Sequence, residues 1–119
     1  RHPRQVSRAE FEAFFDATPP CVHTFVYEVD GKLHGTAKIF FEPKFSNNLA
    51  WCGHVEDVAV LPESRNQGIA RAMVDYLVKF CWDNECYKIV LECDPGLVPL
   101  YEKSGFKTKG REMAQYRNP

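Results

Sequence analysis

The sequence lacks a dominant charge. Fifteen lysines and arginines face sixteen aspartates and glutamates, for a formal net charge of −1, so there is no electrostatic footprint for a nucleic-acid backbone. It also lacks any apolar run approaching the length of a membrane span, and no signal peptide is visible. Neither a nucleic-acid partner nor a membrane is expected. No C-x-x-C pair occurs among the five cysteines, Cys21, Cys52, Cys81, Cys86 and Cys93. An odd count at irregular spacing points to free thiols in a reducing, cytoplasmic setting. Cys52 and His54 invite zinc, but no second ligand pair stands at a usable spacing, and no metal is expected. The tail Arg117-Asn118-Pro119 is neither a peroxisomal nor a retention signal. The chain opens on Arg1 rather than Met, so residues upstream of this numbering are expected, and an organelle leader among them stays open.

What is present fits one small globular domain over residues 1–119. Apolar residues make up 45% and charged residues 26%, ordinary values for a folded chain of this length. Ser7 with Glu10 three residues on forms a capping box for a short helix. Its Phe11, Phe14 and Phe15 stripe reads as core packing, and Thr18-Pro19-Pro20 ends it. Val22 to Val29 alternates as a strand, Asp30-Gly31-Lys32 makes a hairpin turn, and Leu33 to Phe41 returns with Ala37, Ile39 and Phe41 on one face. Glu42 to Ala50, with Pro43, Ser46, Asn47 and Asn48, reads as an irregular connection.

Trp51 to Leu61 is the next strand, and Pro62 ends it. Arg65 to Ala70 is a turn. From Ile69 the apolar period lengthens to that of a helix through Met73, Val74, Leu77, Val78, Phe80 and Cys81, running to about Asn84. Lys88 to Cys93 is a β-branched run, broken by Asp94-Pro95-Gly96. Leu97 to Ser104 is a short helix with Gly105 as its stop, and Phe106 to about Tyr116 reads as a last strand. The fold class is therefore α/β: a mixed, mostly antiparallel twisted sheet flanked by helices.

The strand–turn–helix from Gly53 onward carries the first chemistry. The opening amides of a helix have no internal partner, and the helix dipole puts partial positive charge there. A turn that aims them at one spot binds an anion, most often a phosphate. Gly68 lets a ligand approach the backbone, the small Ala70 lets the turn pack, and Arg65 adds a full charge. The same spacing also describes an ordinary connection with a surface arginine.

Arg65-x-x-Gly68-x-Ala70 between strand and helix resembles the (Q/R)-x-x-G-x-(G/A) signature of the GNAT N-acetyltransferases, and Leu100-Tyr101-Glu102-Lys103-Ser104-Gly105-Phe106 resembles their late motif. Gly53-His54-Val55-Glu56-Asp57, Cys86-Tyr87-Lys88-Ile89-Val90-Leu91-Glu92-Cys93 and the Tyr-Glu-Lys-x-Gly-Phe ending are similar to the glucosamine-6-phosphate N-acetyltransferase family, over about Glu42 to Phe106. The resemblance implies a GNAT fold whose central strands splay apart, and acetyl-CoA as co-substrate. It implies pyrophosphate binding at Arg65, Asn66, Gln67, Gly68, Ile69 and Ala70, with Val58, Val60 and Tyr101 as further cofactor contacts. It places glucosamine 6-phosphate against Lys44, Glu56, Asp57, Lys88, Glu92, Cys93 and Arg117. It also implies a homodimer that exchanges C-terminal strands and shares its active sites, on the route to UDP-N-acetylglucosamine.

Residue chemistry accommodates those roles. Tyr101 is the candidate acid for the CoA thiolate: its phenol, with an ordinary pKa of about 10, holds its proton at neutral pH. It could equally be a buried aromatic whose hydroxyl finds any acceptor. A backbone N–H near Val58–Val60 is the candidate oxyanion donor. Neighbours on a regular strand face opposite sides, so only one of Glu56 and Asp57 points into a site; the resemblance implies that Glu56 meets the amino sugar, and Asp57 reads first as a strand-end hydrogen-bond partner. Glu92 on the neighbouring strand can hold the substrate ammonium and accept its proton. Lys44, Lys88 and Arg117 are candidates for the sugar phosphate, and each alone is a plain surface charge.

Two departures stand out. Leu97 takes a place where many relatives have Asn, and direct counting puts Tyr116, with Arg117 one place later, where the family has a phosphate-binding Arg. A one-residue slip reverses a strand's faces. Three readings remain open at this level: an amino-sugar-phosphate N-acetyltransferase, an acetyltransferase of the same fold acting on a protein or polyamine, and a non-catalytic CoA-binding module. The acidic pair disfavours the second, and Glu56, Glu92 and Tyr101 together disfavour the third.

Overall fold

The computed structural model describes residues 5–117. Helix α1 (Arg8–Asp16) starts at the expected capping box: the Ser7 Oγ accepts from the Glu10 N–H at 3.1 Å, and the Glu10 carboxylate accepts from the Ser7 N–H at 3.1 Å. Strands β1 (Val22–Val29) and β2 (Lys32–Pro43) form an antiparallel hairpin whose turn residues Asp30 and Gly31 both take positive φ, 50° and 79°, the backbone sense that matches strand twist. Strand β3 (Trp51–Val60) returns antiparallel to β2, and β4 (Cys86–Val90) lies parallel to β3, giving the order β1-β2-β3-β4.

Between β2 and β3 a single turn, α2 (Ser46–Leu49), holds Asn47, Asn48 and Leu49 at positive φ. Two adjacent asparagines make this affordable, because Asn tolerates the left-handed region better than other side chains. Helix α3 (Ile69–Asp83) buries Ile69, Met73, Val74, Leu77 and Cys81, the stripe expected from the sequence. It packs on one sheet face, where Leu77 and Cys81 join Ala37, Ile39, Val55 and Cys86, with Phe25, Phe41, Val58, Ile89 and Leu91 around them. Phe80 sits among aromatic rings, 5.0 Å from Phe25 and 5.7 Å from Phe41. Full burial of one such side chain contributes about 1.5–3 kcal/mol, so this face fixes where β3 and β4 lie. A short α4 (Val98–Glu102) follows a 3-10 turn at Pro95–Leu97. Among the described residues no helix is long and apolar enough to cross a membrane.

The sheet departs from regularity at one functionally important place. Pairing of β3 with β4 ends at His54↔Val90, while β3 runs on to Val60 beside β2 alone. Strands β3 and β4 therefore splay, leaving a wedge between the far half of β3 and residues 91–94.

Four expectations need correction. The α1 aromatics do not pack in the core: Phe11, Phe14 and Phe15 are exposed, and α1 buries no residue. The amphipathic stripe is real, but nothing among the described residues buries it. The run expected as a strand to Cys93 stops at Val90, because beyond the splay it has no ladder partner. Residues 106–116 form no strand; the apolar residues Phe106, Met113, Ala114 and Tyr116 do not alternate, and among the described residues no strand pairs with the segment. Lastly, β3 is not regular at Glu56–Asp57. The register shifts between Thr36↔Ala59 and Lys38↔Glu56, and Asp57 has φ 53°, a bulge that breaks the strict alternation of faces.

Candidate active site

The turn into α3 has the geometry of an anion site. Arg65 is extended, its Nε donating to the Val60 carbonyl at 3.3 Å. Asn66 follows at φ 62°, and Gly68 caps α3 at φ 77°. Among the described residues no side chain caps this helix start, so its first amides are available to a ligand. A Cβ at Gly68 would meet nothing within 4 Å; the space in front of it is open. Arg65, Asn66, Gln67 and Gly68 are exposed, Ala70 is half-buried, and Ile69 alone is buried as the anchor. The amide of Gln67 contacts the Glu63 carbonyl at 3.5 Å.

This turn is itself positioned from β2. Leu61 donates to the His34 carbonyl at 2.9 Å, and the His34 Nδ1 lies 2.8 Å from the buried Ser64 hydroxyl. The 3-10 turn Pro62–Ser64 is thereby tied to the sheet before Arg65 begins. Val58 and Val60 lie on the part of β3 that no longer pairs with β4.

Tyr101 is buried, in edge contact with Phe106 at 6.1 Å. Burial pushes its phenol above the ordinary value, and the nearby Cys93 adds in the same direction. The proton is thus held more firmly than on a free tyrosine. Tyr101, Glu92 and Cys93 line one cavity of about 380 Å³, together with Val98 and the segment 106–112. Three sequence candidates therefore meet. The cavity also brings in Lys107, Lys109 and Arg111, which the sequence reading passed over. Their signal was the period of two in K-T-K-G-R, which places alternate basic side chains on one side of an extended chain.

The remaining candidates are not gathered at that cavity. Glu56 and Asp57 are exposed on the bulged part of β3, and Asp57 pairs with Lys38 at 2.9 Å. Lys44 is held by Glu42 at 3.1 Å, and Glu42 also lies 2.7 Å from the His54 Nε2. Hydrogen bonds from His54 and then Lys44 hold the Glu42 carboxyl below its usual range, and Glu42 in turn raises the Lys44 ammonium. Lys88 is exposed, its ammonium 5.5 Å from the Tyr87 ring centroid. Arg117 ends the described chain, after the exposed Met113 and Tyr116. Leu97, in the place of the absent Asn, is exposed.

The chain is similar to known acetyltransferases in sequence and in fold. The model of the acetyltransferase (GNAT) family matches residues 1–106. Glucosamine 6-phosphate N-acetyltransferase of Schizosaccharomyces pombe is 39% identical over 82 residues, covering 69% of this chain and 74% of that protein. The enzyme of the same name from Trypanosoma brucei brucei is 34% identical over 75% of this chain, which spans 60% of its length. The crystal structure of glucosamine-6-phosphate N-acetyltransferase from Arabidopsis thaliana superposes with a TM-score of 0.91 at 29% identity, covering 98% of this chain and 83% of that one. A glycine-started, uncapped helix beside two splayed strands, matched by fold and by sequence, places the chain in the GNAT acetyltransferase family, among the glucosamine 6-phosphate N-acetyltransferases.

Proposed function

We propose that the protein transfers the acetyl group of acetyl-CoA to the 2-amino group of D-glucosamine 6-phosphate, giving N-acetylglucosamine 6-phosphate and CoA, a step toward UDP-N-acetylglucosamine. The observation that carries this reading is the open, uncapped start of α3 at Gly68 beside the splay of β3 and β4. The amides after Gly68, with Arg65, suit the cofactor pyrophosphate. The unpaired edge of β3 at Val58–Val60 suits its pantetheine arm and offers an N–H to the oxyanion.

The chemistry then needs two proton movements. Glu92 holds the substrate ammonium and accepts its proton, directly or through water, which frees the amine lone pair to attack the thioester carbon, while Glu56 on β3 is assigned to the amino sugar. As the C–S bond breaks, the Tyr101 hydroxyl donates to the departing thiolate; its firmly held proton keeps it a donor at neutral pH. Cys93 lines the same cavity as Glu92 and Tyr101 and falls within the substrate's reach. Lys44, Lys88 and Arg117 are assigned to the sugar phosphate, with Asp57 at the margin of the sugar site. No metal takes part in this chemistry.

A homodimer completes the assignment. The exposed Phe11, Phe14 and Phe15 of α1 and the exposed Met113 and Tyr116 of an unpaired C-terminal segment are surfaces a second copy would cover. Exchange of that segment would carry Arg117 to the partner's sugar site. The test is product analysis: incubation with acetyl-CoA and glucosamine 6-phosphate should yield the N-acetylated sugar by mass spectrometry. Consumption of acetyl-CoA with the sugar left unmodified would overturn the assignment.

A further inference from the structure

Register brings together three side chains that the sequence separates. Glu42 on β2 lies directly across from Cys52 on β3, and His54 is two residues further along the same face. Among the described residues, Glu42, Cys52 and His54 are the group of acidic, cysteine and histidine ligands that converge: one carboxylate oxygen, the thiol sulfur and a ring nitrogen lie within 4.8 Å of one another. Spacing in the sequence shows only Cys52 and His54; the third member comes from across the β2–β3 ladder.

We propose that Glu42, Cys52 and His54 form a binding site for a thiophilic divalent transition-metal ion of the Zn2+ class, which supplies no step of the acetyl transfer but shares Glu42 with Lys44. A tetrahedral ion with metal–sulfur and metal–nitrogen or –oxygen bonds of about 2.3 and about 2.1 Å holds its ligand atoms roughly 3.3–3.7 Å apart. The Glu42–His54 pair at 2.7 Å needs to open by less than an ångström on that basis, and the sulfur, within 4.8 Å of both partners, needs to close by at most about 1.5 Å. Side-chain rotation supplies this, because the backbone of all three residues is fixed by the ladder. The ion enters from solvent: the Glu42 and His54 side chains are 35% and 25% exposed, whereas Cys52 is at 1% and forms the floor. The thiol makes only a weak contact of 3.9 Å, with the neighbouring Gly53 carbonyl, so a metal–sulfur bond displaces no strong interaction. On binding, the metal–sulfur bond forms, the thiol proton passes to solvent, and nothing is oxidised. One thiolate, one carboxylate and one neutral imidazole balance the double charge and leave a fourth position for water.

The donor set names the metal class. A thiolate with an imidazole excludes Mg2+ and Ca2+, which need an all-oxygen shell. Two cations oppose the ion: Lys44, 3.1 Å from Glu42, and Lys88, whose charge reaches Cys52. Lys44 is the direct competitor, since it shares the oxygen the metal would use.

The test is titration of the reduced, full chain with Cd2+ and Zn2+, following the ultraviolet Cd2+–thiolate band and calorimetric stoichiometry. One equivalent is expected, with a thiolate band unaffected by excess Mg2+. Cys52→Ser should abolish the band, and His54→Gln should weaken binding at least about tenfold, since even residues behind the ligands cost 10–100-fold when lost. Lys44→Gln should tighten binding, which a merely structural ion pair would not predict. Cys21→Ser and Cys93→Ser, at the two half-buried thiols elsewhere, should leave the band intact. A band that survives Cys52→Ser, or follows Cys93→Ser, overturns the site, as does absence of binding at millimolar metal. Circular dichroism of each variant confirms that it is folded. Failure here leaves the acetyl-transfer reading untouched, because no step of that chemistry passes through Cys52.

Discussion

Two glycines with the same strain but different surroundings separate backbone conformation from ligand contact. Gly68 and Gly31 have φ 77° and 79°, and at each a Cβ would meet nothing within 4 Å. Replacing either by alanine forces an L side chain into the left-handed region, at about 1–2 kcal/mol. For a domain of this size the thermal midpoint should fall by roughly 3–8 °C in each case. Neither variant adds a clash within the protein, so any further difference must arise from a ligand. At about a hundred times its dissociation constant, a ligand that binds only the folded state stabilises it by about 2.7 kcal/mol. The assay is a thermal melt with and without acetyl-CoA. Gly31→Ala should keep the full ligand-induced shift, and Gly68→Ala should lose most of it, because its methyl group occupies the path of the phosphates. Equal shifts in the two variants would refute the assignment of this helix start to the cofactor. Loss of both shifts would show that strain alone suffices.

Two further outcomes follow from the site. Tyr101→Phe should lower kcat by about 10²–10³-fold, within the usual range for general acid catalysis, with the KM for acetyl-CoA nearly unchanged; parallel losses in steady-state kinetics would assign Tyr101 to binding instead. Glu42 is held below the usual carboxylate range by His54 and Lys44, so its contribution to stability is fully present above the ordinary value and is lost as pH falls through the lowered one. Urea midpoints measured across the acidic range should therefore fall more gently for Glu42→Gln than for the native chain, and an unchanged slope would remove the coupling.

Local signals in the sequence were faithful wherever the deciding interaction was itself local. The Ser7–Glu10 box, the Asp30–Gly31 turn and the α3 stripe from Ile69 to Cys81 all form as read, since each depends on neighbours within a turn or two. The Gly68 turn was legible for the same reason. What failed depended on a neighbour the sequence cannot name. Phe11, Phe14 and Phe15 have the pattern of a buried face but lie exposed, and residues 106–116, expected as a last strand, form none. The Asp57 bulge escaped notice because nothing in G-H-V-E-D marks an extra residue; it appears only once β2 is laid beside β3. Glu42, Cys52 and His54 likewise converge only through that pairing. Within the cavity beside Tyr101, Glu92 and Cys93 came from motif, while Lys107, Lys109 and Arg111 came from tertiary placement.

The central claim is acetyl transfer to one amino sugar phosphate, and the most direct measurement is thiol release from acetyl-CoA against a panel of amines. Rapid release with glucosamine 6-phosphate, and background release with polyamines and lysine peptides, is the predicted result. Release with another amine but not with glucosamine 6-phosphate would contradict the substrate assignment. No release with any amine, from a chain that still binds acetyl-CoA, would contradict catalysis itself.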